Sequence, residues 1–270
     1  MKNIHSICSI ALAATILTFT GYACSSDSDS NVANNIDSAG AGGSMARFTI
    51  AGDHLYAVDY QILKTVRLTD PRRPEHLDLR DQQLGFDIET IFPYGDKLFI
   101  GAQSGMYIYD ISRPEFPEHL STTTHFTSCD PVVAAGNHAY VTLSSSTNNW
   151  NCWRGDNVLQ VYDITDPEQP VLLKSQPMHS PKGLGVDAEA ALLFVCDKGL
   201  KVYDISDPSD PRLFWDLQDE PEIKYIETYD CIPMNGILMV IGADGLYQFD
   251  YSDRNNIHLV GKIDLRKDRL

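Results

Sequence analysis

Apolar residues fall in short runs along most of the chain, such as Leu192-Leu193-Phe194-Val195 and Ile237-Leu238-Met239-Val240-Ile241. No stretch carries a long helical period, so these runs read as strands. They are apolar on successive residues and do not strictly alternate, which requires cover on both faces of a sheet. One order of elements recurs around them, as in Phe86–Phe92, Lys97–Ile100, Met106–Ile111 and Glu118–Thr122. That order predicts four strands per copy.

A short phrase closes each copy. It reads Val66-Arg67-Leu68-Thr69-Asp70-Pro71, Tyr109-Asp110-Ile111-Ser112-Arg113-Pro114, Tyr162-Asp163-Ile164-Thr165-Asp166-Pro167, Tyr203-Asp204-Ile205-Ser206-Asp207-Pro208 and Phe249-Asp250-Tyr251-Ser252-Asp253-Arg254. The intervals of 43, 53, 41 and 46 residues suit four-stranded propeller blades. In four copies a second proline follows (Pro74, Pro117, Pro170, Pro211), and Asp-Pro presets a turn before the next strand. A propeller covers both faces of each sheet because every blade packs on two neighbours. The pattern therefore predicts an all-β fold, a closed propeller of five four-stranded blades near 45–80, 86–123, 126–176, 183–218 and 225–265.

The phrase Tyr-Asp-Ile-Ser-Asp-Pro-x-x-Pro, set after a Gly-Leu-x-Val turn and strand, resembles the LVIVD repeat of bacterial and archaeal surface proteins. The resemblance spans nearly the whole mature chain. It departs at the first copy, where Arg67 stands in place of the Asp, and at the last, which lacks both prolines. It implies a β-propeller with a surface or periplasmic location and a binding role, and it carries over no catalytic residues.

The first residues supply an address. Lys2, the apolar Ile7–Phe19 and the small-residue end at Ala23 form a signal peptide over 1–23, too short to span a bilayer. Cys24 follows at once, and Ser25 to Ser44 is too polar to fold, so 24–44 reads as a flexible tether and 45–270 as the propeller. The arrangement resembles a lipoprotein signal with Cys24 lipidated, although Gly21 stands where Leu is commonest, and Gly-Tyr-Ala also suits an ordinary signal peptidase. The expected location is the bacterial outer membrane or cell surface, facing outward or into the periplasm, with membrane contact through the lipid only.

Lys and Arg number 21 against 37 Asp and Glu, a net charge of −16. Binding to a phosphate backbone has no electrostatic basis, so nucleic acid is not an expected partner. HExxH, GxSxG and GxxxxGK[ST] are absent, and the histidines lack ligand spacing. The sequence accordingly predicts no metal, no cofactor and no catalytic residue. His54 and His138 read as surface residues flanking turns. Gly183-Leu184-Gly185-Val186 matches a loose dinucleotide fingerprint but has no helix after it. Arg154-Gly155-Asp156 spells an adhesion tripeptide that three-residue chance explains. The repeated aspartates Asp110, Asp163, Asp204 and Asp250 read as turn residues and not as metal ligands.

Four cysteines remain after Cys8 leaves with the leader and Cys24 takes the lipid. Cys129 and Cys152 form the favoured disulfide, because both lie toward the face that carries the turns from strand two to strand three. Cys196 and Cys231 either bridge adjacent blades or stay buried as thiols. The third blade is lengthened by the insertion Ser144–Asn157, which places Trp150 and Trp153 in an otherwise polar loop. Exposed tryptophan needs something to pack on, so the loop either caps the channel or contacts a ligand or partner. Asp130 joins Trp150 and Trp153 as a candidate binding residue. It is one of the acids near first strands, with Asp87, Glu89, Glu227 and Asp230, that either form a plain solvated acidic surface or make the channel mouth negative. The expected function is a binding or scaffolding module for an envelope protein or glycan, with a propeller hydrolase or lyase as the alternative.

Overall fold

The computed structural model describes residues 43–85, 88–103, 105–124, 131–145, 156–217 and 226–265, all within one compact unit, Ile36–Leu270. The leader, Cys24 and nearly all of the tether lie outside the described residues. Blade one contains β1 (Phe48–Ala51), β2 (His54–Asp59) and β3 (Ile62–Arg67), with its outer strand broken into β4 (Glu75–His76) and β5 (Gln82–Gln83). Blade two contains β6 (Ile88–Tyr94), β7 (Lys97–Ala102), β8 (Gly105–Asp110) and β9 (Glu118–Thr124). Blade three contains β10 (Val132–Ala135), β11 (His138–Leu143), β12 (Val158–Asp163) and β13 (Val171–Pro177). Blade four contains β14 (Pro181–Asp187), β15 (Leu192–Asp197), β16 (Leu200–Asp204) and β17 (Arg212–Asp216). Blade five contains β18 (Thr228–Met234), β19 (Ile237–Gly242), β20 (Gly245–Asp250) and β21 (His258–Asp264). Strands pair antiparallel in chain order within each blade, so the fold is an all-β propeller of five four-stranded blades.

The repeated phrase folds as two successive Asx turns. The first aspartate accepts the backbone N–H two residues on: Asp110 from Ser112 at 2.7 Å, and Asp163, Asp204 and Asp250 from Thr165, Ser206 and Ser252 at 2.8 Å each. The second does the same, Asp166 from Glu168 at 3.0 Å and Asp207 from Ser209 at 3.1 Å. These bonds occupy donors that would otherwise continue a strand, so the chain reverses toward the outer strand. A register shift follows between the third and fourth strands, at Ile108/Tyr109, Val161/Tyr162, Val202/Tyr203 and Gln248/Phe249. Such bulges raise the local twist that an outer strand needs.

The phrase also docks blades. The Pro114 carbonyl accepts the Tyr56 hydroxyl of blade one at 2.8 Å, Pro167 accepts Ser121 of blade two at 2.6 Å, and Pro208 accepts Tyr140 of blade three at 3.1 Å. The two irregular copies make their own ties. Arg67, in place of the aspartate, pairs with Glu75 of its own blade and Glu115 of blade two. Arg254, in place of the proline, reaches back to Asp204 at 2.6 Å and lies over the Phe214 ring.

Four apolar clusters join blades one to two, two to three, three to four and four to five. Among the described residues no such cluster joins five to one. In blade four, β15 is buried along its whole length, Leu192, Phe194 and Cys196 facing blade five and Leu193 and Val195 facing blade three. In blade five, Leu238 and Val240 are buried, but Ile237, Met239 and Ile241 are only half-buried. The expectation that Ile237–Ile241 is covered on both faces thus fails on one. A second covered face requires a neighbour, and among the described residues no apolar cluster lies on that side of the last blade. Leu55 and Ala57 of blade one are half-buried for the same reason. His54 corrects another reading. It is 4% exposed, on the same face of β2 as the buried Tyr56 and Val58, with Nδ1 2.6 Å from Asp53.

Candidate functional site

The axis of the ring holds the beginning of the described chain. Ser44 is buried, and its hydroxyl donates to Asp230 Oδ1 at 3.0 Å while accepting the Leu184 N–H at 2.7 Å. Met45 N–H donates to Asp230 Oδ2 at 3.2 Å, and the Ala46 carbonyl accepts the Ile91 N–H at 2.8 Å. Three residues thereby touch the innermost strands of blades two, four and five. Gly43 and Ser44, which composition places in the tether, are part of this packing.

Two glycines make the slot for Asp230. A Cβ on Gly43 would lie 2.0 Å from the carboxylate, and one on Gly183 2.1 Å from it. Gly183 and Gly185 therefore serve close packing on β14, as the absence of a following helix suggested. Burial pushes the Asp230 carboxyl up, and hydrogen bonds from Met45, Ser44 and Cys231 partly offset this. The other described acids near the axis are also engaged: Glu227 with Lys182 at 2.9 Å, and Glu89 with Gln103 at 3.5 Å. Asp87 and Asp130 lie outside the described residues.

The described ends of the insertion are held in place. Asn157 Oδ1 accepts the Ser145 N–H at 2.7 Å, its Nδ2 donates to the His179 carbonyl at 2.8 Å, and its own carbonyl accepts Met178 N–H at 2.8 Å. The adjoining segment is anchored in turn by Asp197, 1% exposed, which accepts the N–H groups of His179 and Ser180 and pairs with Lys201 at 2.6 Å. Burial disfavours the Asp197 carboxylate, but Lys201 and the two backbone donors outweigh it and hold the group below its ordinary value. Trp150, Cys152, Trp153 and Cys129 lie outside the described residues. Sequence reasoning missed Ser44, Asn157 and Asp197. Of these only Asp197 leaves a signal, as a charge that ends an apolar strand.

Two clefts open elsewhere on the ring. One of about 650 Å³ lies between blades four and five, where Asp187 accepts the Tyr251 hydroxyl at 2.8 Å beside Glu189, Met234 and Asn235. The other, about 530 Å³, lies between blades one and two, with Arg80 4.0 Å over the Phe116 ring beside Arg113 and His119. Among the described residues no three His, Cys, Asp or Glu side chains converge as a metal site.

The model of the LVIVD repeat matches residues 192–217, which run from β15 through the double Asx turn to β17. Blades three and five repeat both bonds of that turn, blade two keeps the first and blade one the second. This chain is an LVIVD-repeat β-propeller. No curated protein matches the LVIVD-repeat propeller in sequence. Among solved structures it is similar to the periplasmic gluconolactonase PpgL of Pseudomonas aeruginosa, at 13% identity and a TM-score of 0.56, over 79% of this chain and 68% of that one. A Lactobacillus plantarum protein matches at 12% and 0.56, over 79% and 73%. Apo AztD of Citrobacter koseri matches at 13% and 0.55, over 77% and 58%. At such identities the likeness establishes the fold alone.

Proposed function

We propose that this LVIVD-repeat propeller is a binding or scaffolding module of a bacterial envelope, held to the membrane by a lipid on Cys24. Its docking surface is the insertion with Trp150 and Trp153, and its partner is an envelope protein or glycan. The observation that carries this reading is the base of the insertion, where Asn157 bonds Ser145 and His179 and Asp197 fixes the segment beside it. A loop on a fixed base presents its aromatic residues at lower ordering cost, which favours binding. An enzyme working over the axis would need free groups there, whereas Ser44, Asp230 and Glu227 are already engaged with one another or with Lys182.

The test is capture from native envelope by the immobilised protein, compared with the double variant Trp150→Ala, Trp153→Ala. Capture by the wild type should fall at least tenfold in the variant, with unchanged circular dichroism and melting. A variant that captures normally but melts much earlier assigns the loop to capping and places the binding surface elsewhere.

A further inference from the structure

Cys196 and Cys231 are both thiols, 0% and 1% exposed, and they meet in the apolar cluster between blades four and five. Cys231 Sγ lies 3.8 Å from the carbonyl of Phe194, which is two residues from Cys196 on the same face of β15. The strand registers allow comparison with the other interfaces. The positions matching Cys196 and Cys231 hold Thr142 and Leu184 between blades three and four, Gly101 and Val132 between two and three, and Val58 and Ile91 between one and two. Packing at this depth therefore does not require sulfur. Among the described residues only the interface that holds the last blade carries two thiols, and that blade has one half-exposed face.

We propose that Cys196 and Cys231 are a modification site, a dithiol that a disulfide oxidant converts to a cystine stapling blade five to blade four. One thiolate attacks the sulfur–sulfur bond of the oxidant, forming a mixed disulfide and releasing one thiol. The second cysteine loses its proton and attacks the cysteine sulfur of that mixed disulfide, releasing the second thiol. Two electrons pass from the pair to the oxidant, which leaves as two thiols. The neighbouring Cys196, burial and then the Asp230 charge hold the Cys231 thiol well above its ordinary value, so the folded pair is slow to react. Blade five has one blade-to-blade cluster to break, and its local opening admits the oxidant.

The experiment treats the full mature chain with oxidised glutathione, with and without sub-denaturing urea, followed by alkylation and non-reducing peptide mass spectrometry. The expected product is the peptide pair joined through Cys196 and Cys231, two hydrogens lighter than the reduced pair, formed faster in urea. It should raise the melting temperature by about 5–10 °C, a gain reversed by dithiothreitol and absent in Cys196→Ala and Cys231→Ala. Recovery of both cysteines singly alkylated or glutathionylated after urea treatment, or joined to Cys129 or Cys152, overturns the proposal. The wild-type mass measurement decides this even if a variant fails to fold.

Discussion

Ser44→Ala tests whether the axial segment closes the ring. The hydroxyl makes two hydrogen bonds in a site that is 1% exposed, one to the Asp230 carboxylate and one from the Leu184 N–H. Its removal leaves a buried N–H without a partner, at about 1–3 kcal/mol, and takes one donor from a buried carboxylate, at about 1.5–3 kcal/mol. Asp230 keeps Met45 and Cys231, so the two losses overlap, and the expected cost is about 2–4 kcal/mol. For a domain of this size that lowers the melting temperature by about 5–15 °C. Thermal and urea melts of the mature chain measure it. The control is Ser112→Ala, which removes an exposed hydroxyl from the Asp110 turn and should cost under about 1 kcal/mol. A change below about 0.5 kcal/mol at Ser44 would refute the argument, because the segment would then hold no blade in place.

Acid should weaken the fold through its turns. Hydrogen bonds from Ser206, helped by Arg254, hold Asp204 at about 2, and Thr165 and Ser252 lower Asp163 and Asp250. Each favours folding above its unfolded value, so stability is lost as pH falls from about 4 toward 2, and Asp204→Asn should flatten melts recorded over that range. Asp230 works in the opposite sense: raised by burial, it contributes stability at low pH that is lost as pH rises through its folded value, so Asp230→Asn should steepen the acid loss. Cys24→Ala should move the protein from the detergent-dependent to the soluble fraction, and retention in the membrane would remove the lipid anchor from the proposal. Non-reducing peptide mapping should find Cys129 joined to Cys152, closing a loop that contributes about 3 kcal/mol, and two free thiols there would exclude the staple.

The blades were legible because each repeats its own instructions. The predicted blades at 86–123 and 183–218 fall within a few residues of the strand limits Ile88–Thr124 and Pro181–Asp216. The aspartate turns were legible for the same reason, since Asp110 and Ser112 are two residues apart and their bond is local. Repetition shows what a blade is, and an Asx turn needs nothing from outside the phrase.

The ends of the ring were decided only in three dimensions. Ile237–Ile241 and Leu192–Cys196 look alike as apolar runs, yet one is covered on one face and the other on both, because burial belongs to the neighbour and not to the strand. His54 follows a Gly-Asp turn as a surface residue would, yet it is buried on the same face of β2 as Tyr56 and Val58, which join the cluster with blade two. Ser44 closes the axis on Asp230, 186 residues away, and no local pattern marks a polar tether residue for that place. The cysteines divide along the same line. Sequence favoured Cys129 with Cys152 and left Cys196 and Cys231 as either a bridge or buried thiols, and their burial as thiols in one cluster came from the packing of blade four against blade five. Local chemistry recurs along the chain and can be read there, whereas contacts between the first and last parts of a ring exist only once the blades between them have set the curvature.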